Sequence, residues 1–149
     1  MVVEKFIGAN NLQFEIVECD DTHIPDIKEF CSKVDIENNS TLKSIKFGKW
    51  GALEKWWAVY HKNKIISLSG SHYLPHINKN CYVIAYRLAT LEEFKGMASD
   101  KVSSRMLNDF GMGKILPYQV NWCLDKGAET IVATFNSCLL YTSDAADDP

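Results

Sequence analysis

The stretch that most restricts the possible folds runs from Cys81 to Phe135. It opens with Cys81-Tyr82-Val83-Ile84-Ala85-Tyr86-Arg87-Leu88, rich in the β-branched and aromatic residues that suit a pleated surface. It closes with a second apolar strand, Thr130-Ile131-Val132-Ala133-Thr134-Phe135. Between them, Asn108-Asp109-Phe110-Gly111-Met112-Gly113-Lys114 carries two closely spaced glycines. That segment leads into a helical run from Ile115 to Lys126, stopped by Gly127. A strand, a glycine loop, a helix and a strand form a common anion-binding arrangement, because unpaired N–H groups and the dipole at a helix start attract phosphate. A plain loop-to-helix turn accounts for a lone Gly-x-Gly equally well.

Upstream, Leu12-Gln13-Phe14-Glu15-Ile16-Val17 alternates strictly and reads as the first strand, with one buried face. Asp20 to Thr22 supplies capping residues for a helix beginning near Pro25, a residue tolerated in a first turn. Ile27, Phe30, Cys31 and Val34 recur at helical spacing and are expected in the core. Asn38-Asn39-Ser40-Thr41 ends that helix, and a second helical piece is expected through Leu42, Ile45 and Phe47. Trp56 to Tyr60 and Lys64 to Tyr73, joined by His61-Lys62-Asn63, form a hairpin, and Cys81 to Leu88 completes a three-strand meander. The polar stretch from Thr90 to Asp109 is expected to hold a short helix near Glu92 to Met97.

The terminal segment Cys138-Leu139-Leu140-Tyr141-Thr142-Ser143-Asp144-Ala145-Ala146-Asp147-Asp148-Pro149 resembles a translated sequencing-library adapter. On that reading the natural frame is cut near Ser137, a single incomplete domain occupies 1–137, and 138–149 is a non-native tail. A flexible acidic terminus has the same small and polar composition. Three of the nineteen acidic residues (Asp144, Asp147, Asp148) sit there, leaving sixteen against sixteen Lys plus Arg, so the net charge of −3 says nothing about partners. With no basic surplus or Lys/Arg cluster, nucleic-acid binding gains no support. A 46% hydrophobic composition over 149 residues suits one globular domain with a core. No apolar run reaches the ~20 residues of a membrane-spanning helix, and Met1-Val2-Val3-Glu4-Lys5 lacks the apolar stretch of a secretion signal, so no membrane association is expected.

Cys19, Cys31, Cys81 and Cys123 are scattered, without a Cys-x-x-Cys pair, and are expected to be reduced, buried and cytoplasmic. His72 and His76 flank a turn with Pro75 but lack further ligands, so no metal site is expected.

The order strand, helix, helix, three-strand meander, loop, helix, strand resembles the GNAT superfamily of N-acetyltransferases over Leu12 to Asn136. The resemblance implies an α/β (α+β) fold: a mixed, mostly antiparallel sheet flanked by helices, in the order β-α-α-β-β-β-α-β, with the family's C-terminal elements missing. The family's Gln/Arg-x-x-Gly-x-Gly/Ala loop maps onto Asn108, Gly111 and Gly113, with Asn108 standing in for Gln or Arg. It implies acetyl-CoA as co-substrate, bound through Leu88, Ala89, Asn108, Phe110, Gly111, Met112, Gly113 and Lys114. The strand around Tyr86 to Ala89 would pair with the pantetheine arm. The acceptor would be a small-molecule or peptide amine. Leu116-Pro117-Tyr118-Gln119 also resembles the Leu-Pro-x-Gln helix of small acyltransferase-like proteins of marine phages and environmental bacteria. A non-catalytic binding domain of the same fold is the alternative.

Acetyl transfer to an amine needs positioning, an oxyanion donor such as a backbone N–H of the splayed strand, and proton transfer from the ammonium and to the thiolate. The sequence leaves the catalytic residues unassigned. Glu92 and Glu93 suit an exposed loop, and His72 a half-buried, hydrogen-bonded role, as well as they suit a base. Tyr82 and Tyr86 read as packing residues. Arg87 fits either an anion contact or a surface ion pair, and Trp50, Trp56 and Trp57 either a cleft or the core rim. Tyr141 lies in the adapter-like tail and takes no role.

Overall fold

In the computed structural model, the described residues are 1–38, 54–75, 78–100 and 105–133. The second helical piece through Leu42 and Phe47, Trp50, His76, Asn136 and the terminal segment with Tyr141 lie outside them, as do the side chains of Tyr86 and Arg87.

Among the described residues, six strands form one sheet in chain order: β1 (Val2–Ile7), β2 (Gln13–Glu18), β3 (Glu54–His61), β4 (Lys64–Tyr73), β5 (Cys81–Thr90) and β6 (Thr130–Ala133). The first four junctions are antiparallel, and β5 with β6 is parallel. The helices are α1 (Ile24–Asn38), a single turn α2 (Arg105–Asn108) and α3 (Leu116–Asp125), the last entered through a π-turn at Gly111–Ile115. This is the mixed, mostly antiparallel sheet flanked by helices that the sequence implies.

Two readings need correction. The chain does not begin its sheet at Leu12: Val2–Ile7 precedes it as an edge strand. Glu4 and Lys5 sit adjacent there and interrupt the apolar alternation, and a strand with one bonded neighbour needs less of it. The expected helix near Glu92 is a 3₁₀ turn, Glu92–Phe94, closed by Phe94 N–H to Leu91 O at 3.0 Å.

Local chemistry explains the boundaries. Asp20 Oδ1 accepts from Thr22 N–H at 2.9 Å, and His23 Nδ1 accepts from Asp20 N–H at 3.0 Å, a reciprocal capping box with histidine as the returning partner. The 3₁₀ turn Asp21–His23 then leads into α1. The β3–β4 hairpin turns on Lys62 and Asn63, both at positive φ (49° and 65°), as a two-residue type I′ turn requires. Gly127 ends α3 at φ 87°. Its N–H reaches Leu124 O at 3.0 Å, and Ala128 N–H reaches Cys123 O at 3.0 Å, the paired bonds of a left-handed C-terminal cap.

Layers follow from the pleat. Tyr60 faces α1 and donates its hydroxyl to Asp26 Oδ2 at 2.8 Å, so Ala58 and Trp56 share that side with Ile27, Phe30, Cys31 and Val34 of the helix. All four helix positions are buried, as their spacing predicts. Trp57 faces α3, its ring edge-on to Trp122 at 6.3 Å. Phe6 and Phe14 meet Phe110 and each other beneath the π-turn, with Phe94 edge-on to Phe14, and this cluster closes the second layer. β4 is buried almost end to end because both faces are covered.

Candidate functional site

The site grows from an irregularity in β5. Leu68 pairs with Ala89, Gly70 with Tyr86 and His72 with Val83, so β5 advances three residues for each two of β4, twice in succession. Each extra residue is a bulge, and a bulge leaves a backbone group out of the ladder and bends the strand. On its other edge β5 pairs with β6 only over Cys81–Ile84. Among the described residues, no strand pairs with β5 from Ala85 to Thr90 on that side. Among the described residues, the end of that parallel pair beside the bulged strand defines a wedge, with the β5 main chain as one wall.

The glycine segment packs against this wall. A Cβ on Gly111 would sit 2.3 Å from Leu88 Cδ1, so the turn lies in direct contact with the strand. Leu88 and Gly111, far apart in sequence, are thus brought together. Gly113 is equally enclosed: a Cβ there would meet Met106 O at 2.7 Å and Leu107 O at 2.8 Å. Both glycines let backbone approach backbone or side chain, a packing reason for a pattern that the sequence offers as a ligand approach.

The N–H groups of the turn are largely committed. Gly113 N–H donates to Asp109 O at 2.7 Å, and Met112 N–H to Asp109 Oδ1 at 3.0 Å. Asp109 therefore caps this helical start, a role the sequence reading overlooked although an aspartate three residues before Met112 is the usual capping signal. Phe110 is core, 1% exposed within the phenylalanine cluster. Lys114 Nζ lies over the Phe6 ring, 4.4 Å from its centroid, and so reaches towards β1, at the opposite edge of the sheet from the wedge. Asn108 Oδ1 is buried and has no hydrogen-bond partner among the described residues.

The proton-transfer candidates are occupied elsewhere. Glu92 pairs with Lys95 Nζ at 2.7 Å, and its N–H donates to Glu37 Oε2 at 3.0 Å. His72 Nδ1 contacts Tyr73 O at 2.9 Å. Trp56 and Trp57 are core, and Tyr82 lies edge-on to Trp122 and tilted against Tyr73. The four described cysteines are buried and free, and burial pushes the Cys31 and Cys123 thiols up to about 11 and Cys19 to about 12. Among the described residues, no three His, Cys, Asp or Glu side chains cluster as a metal would require, and no helix is long and apolar enough to cross a membrane.

No protein-family model matches the sequence, and no curated protein matches it. The fold does have relatives of known structure. The GNAT domain of PAT from S. lividans superposes with a TM-score of 0.67 at 7% identity, over 97% of this chain and 85% of that one. An aminoglycoside acetyltransferase from an uncultured soil metagenomic sample, in complex with trehalose, gives 0.60 at 13% identity over 91% and 88%. A predicted acetyltransferase with acetyl-CoA from Clostridium acetobutylicum gives 0.58 at 12% identity over 91% and 89%.

Proposed function

We propose that this chain, which has the GNAT acetyltransferase fold, is an acyl-CoA-dependent N-acyltransferase that uses the wedge beside β5 to present acetyl-CoA to an amine. The observation that carries the reading is the doubly bulged strand, which from Ala85 to Thr90 has no strand partner on that side among the described residues. A pantetheine arm bears amides, and an extended ligand with amides adds to such an edge as a further strand would.

The arm fits the residues present. Leu88 and Ala89 supply main-chain groups along its length. The buried Asn108 Oδ1 finds no donor among the described residues, a condition costing about 1–3 kcal/mol, and an amide N–H of the arm would relieve it. Gly111 holds the turn close enough to close the wedge. Phe110, Met112, Gly113 and Lys114 contribute by shaping that turn. Acetyl-CoA supplies an activated acyl group. The chain's own part is to orient it and to aim a bulge N–H at the developing oxyanion, where a fixed donor in a water-poor site is worth most. Proton transfer is left to the acceptor's surroundings.

The commitment of the Met112 and Gly113 N–H groups to Asp109 favours a second reading, a binding domain of this fold without turnover. Thermal unfolding with acetyl-CoA separates the cases. At ~100-fold above the dissociation constant, binding stabilises the fold by about 2.7 kcal/mol. Stabilisation together with CoA-thiol release on adding a panel of amines, including an aminoglycoside and a peptide, supports the enzyme. Stabilisation without thiol release supports the binding domain, and no stabilisation rejects both.

A further inference from the structure

Gln119 is a long, polar side chain with 1% exposure in the middle of α3, where an apolar residue would pack at less cost. Its Nε2 donates to Ser69 Oγ at 2.9 Å and to Gly70 O at 2.7 Å, so the carboxamide ties α3 to the central strand β4. Gly70 is no ordinary strand residue. It is the β4 position between the two register shifts, with one bulge of β5 on either side of it. A ladder disrupted on both flanks cannot give every carbonyl there a regular partner, and a buried carbonyl without one is costly. Gln119 delivers a donor to that carbonyl from the helix above.

The surroundings reinforce this placement. Ser67, Ser69 and Ser71 are fully buried along the same face of β4. Ser67 Oγ shares a hydrogen bond with Thr90 Oγ1 at 2.8 Å and donates to Ala89 O at 3.1 Å, fixing the far end of the bulged segment. From the other face, the Trp56 indole packs under Gly70, where a Cβ would approach it to 3.0 Å. Gly70 is therefore held from both sides at the point where β5 departs from regular pairing.

We propose that Gln119 is a positioning residue: by bonding Gly70 O it holds β4 in the conformation that lets β5 keep both bulges, and so fixes the strand that receives the acyl donor. The part concerning the donor rests on the acyl-CoA reading, whereas the part concerning β5 does not.

Gln119→Met keeps the volume and removes both bonds. Amide hydrogen exchange is followed in peptides covering 81–90 and, as an internal reference, α1, with acetyl-CoA affinity measured below the melting temperature. Exchange in 81–90 is expected to rise about tenfold, with α1 unchanged, and acetyl-CoA affinity to fall by a similar factor. A lower melting temperature with both the β5 exchange and the affinity unchanged would reduce Gln119 to a core residue and overturn the proposal. Ser69→Ala, which removes one of the two bonds, is the second variant if Gln119→Met does not fold. It should shift the same peptide by less, and an unchanged exchange pattern there counts against the proposal. Failure of the wild-type chain to bind acetyl-CoA would reject the acyl-CoA reading and leave the exchange experiment to decide whether Gln119 holds β5.

Discussion

A Cβ placed on Gly111 would lie 2.3 Å from Leu88 Cδ1, and that contact joins the glycine turn to the bulged strand. It also sets the tolerance of the turn. Leu88 Cδ1 ends a flexible side chain and can rotate away, whereas the Met106 and Leu107 carbonyls facing Gly113 are backbone. Gly111→Ala should therefore cost little. The ~1 kcal/mol that alanine gains over glycine in a helix offsets most of the Leu88 adjustment. Gly113→Ala should destabilise by about 1–3 kcal/mol, since backbone must move. Denaturant melts of the two variants check the order, and equal losses would contradict it.

Tyr118 ties α3 to the edge strand by donating its hydroxyl to Glu4 Oε1 at 2.6 Å, and burial first, then this bond, push the phenol up to about 12. The pair is partly exposed, so its worth is reduced by solvent. Tyr118→Phe is expected to lose about 1 kcal/mol. Limited proteolysis should reveal earlier cleavage near β1 than in the parent chain.

The buried thiols predict alkaline sensitivity. Each has an ordinary value of 9.0 that burial raises in the folded state, to about 11 for Cys31 and Cys123 and about 12 for Cys19. The unfolded chain therefore ionises first. The stabilisation is complete below pH 9 and is lost as pH rises through the folded values. Midpoints of denaturant unfolding should fall between pH 9 and 11, while a thiol reagent at pH 8 should label these cysteines only after unfolding. Rapid native labelling would show the burial to be wrong.

The acid side offers a second check. Asp20 sits below its ordinary 3.8, held chiefly by the Thr22 hydroxyl and then by the Thr22 N–H. Its capping contribution is present above pH 3.8 and lost as pH falls through the depressed folded value. Asp20→Asn keeps an acceptor without the charge, so wild type and variant should converge in stability at low pH. A gap that persists there would mean the cap acts through geometry alone.

The β3–β4 turn leaves stability to be gained. Lys62 and Asn63 both adopt positive φ without a glycine. Replacing the pair by Asn-Gly, which suits a type I′ turn, should raise stability by about 0.5–1 kcal/mol, measurable as a shift in melting temperature.

Much of the fold was legible before any coordinates. Alternation placed β2, β-branched and aromatic runs around a short polar turn placed β3, β4 and β5, and the spacing of Ile27, Phe30, Cys31 and Val34 gave the buried face of α1, because burial on one side imposes a period. The turn at Lys62-Asn63 was readable as a short polar break between two apolar runs, and Gly127 because glycine tolerates the positive φ of a helix end. β1 was missed because Glu4 and Lys5 hide an edge strand whose fate depends on its neighbour. The site was half legible. Leu88 and Gly111 lie in contact, whereas Phe110 is core and Lys114 turns to Phe6.

The sequence by itself determined the strand and helix periods, the turn chemistry and the meander, because each depends on residues within a few positions of one another. Tertiary structure alone decided which strands flank β5, where its two bulges fall, and that Gln119 reaches Gly70. Those features arise from competition for hydrogen bonds between segments about fifty residues apart, and no local pattern reports which partner wins.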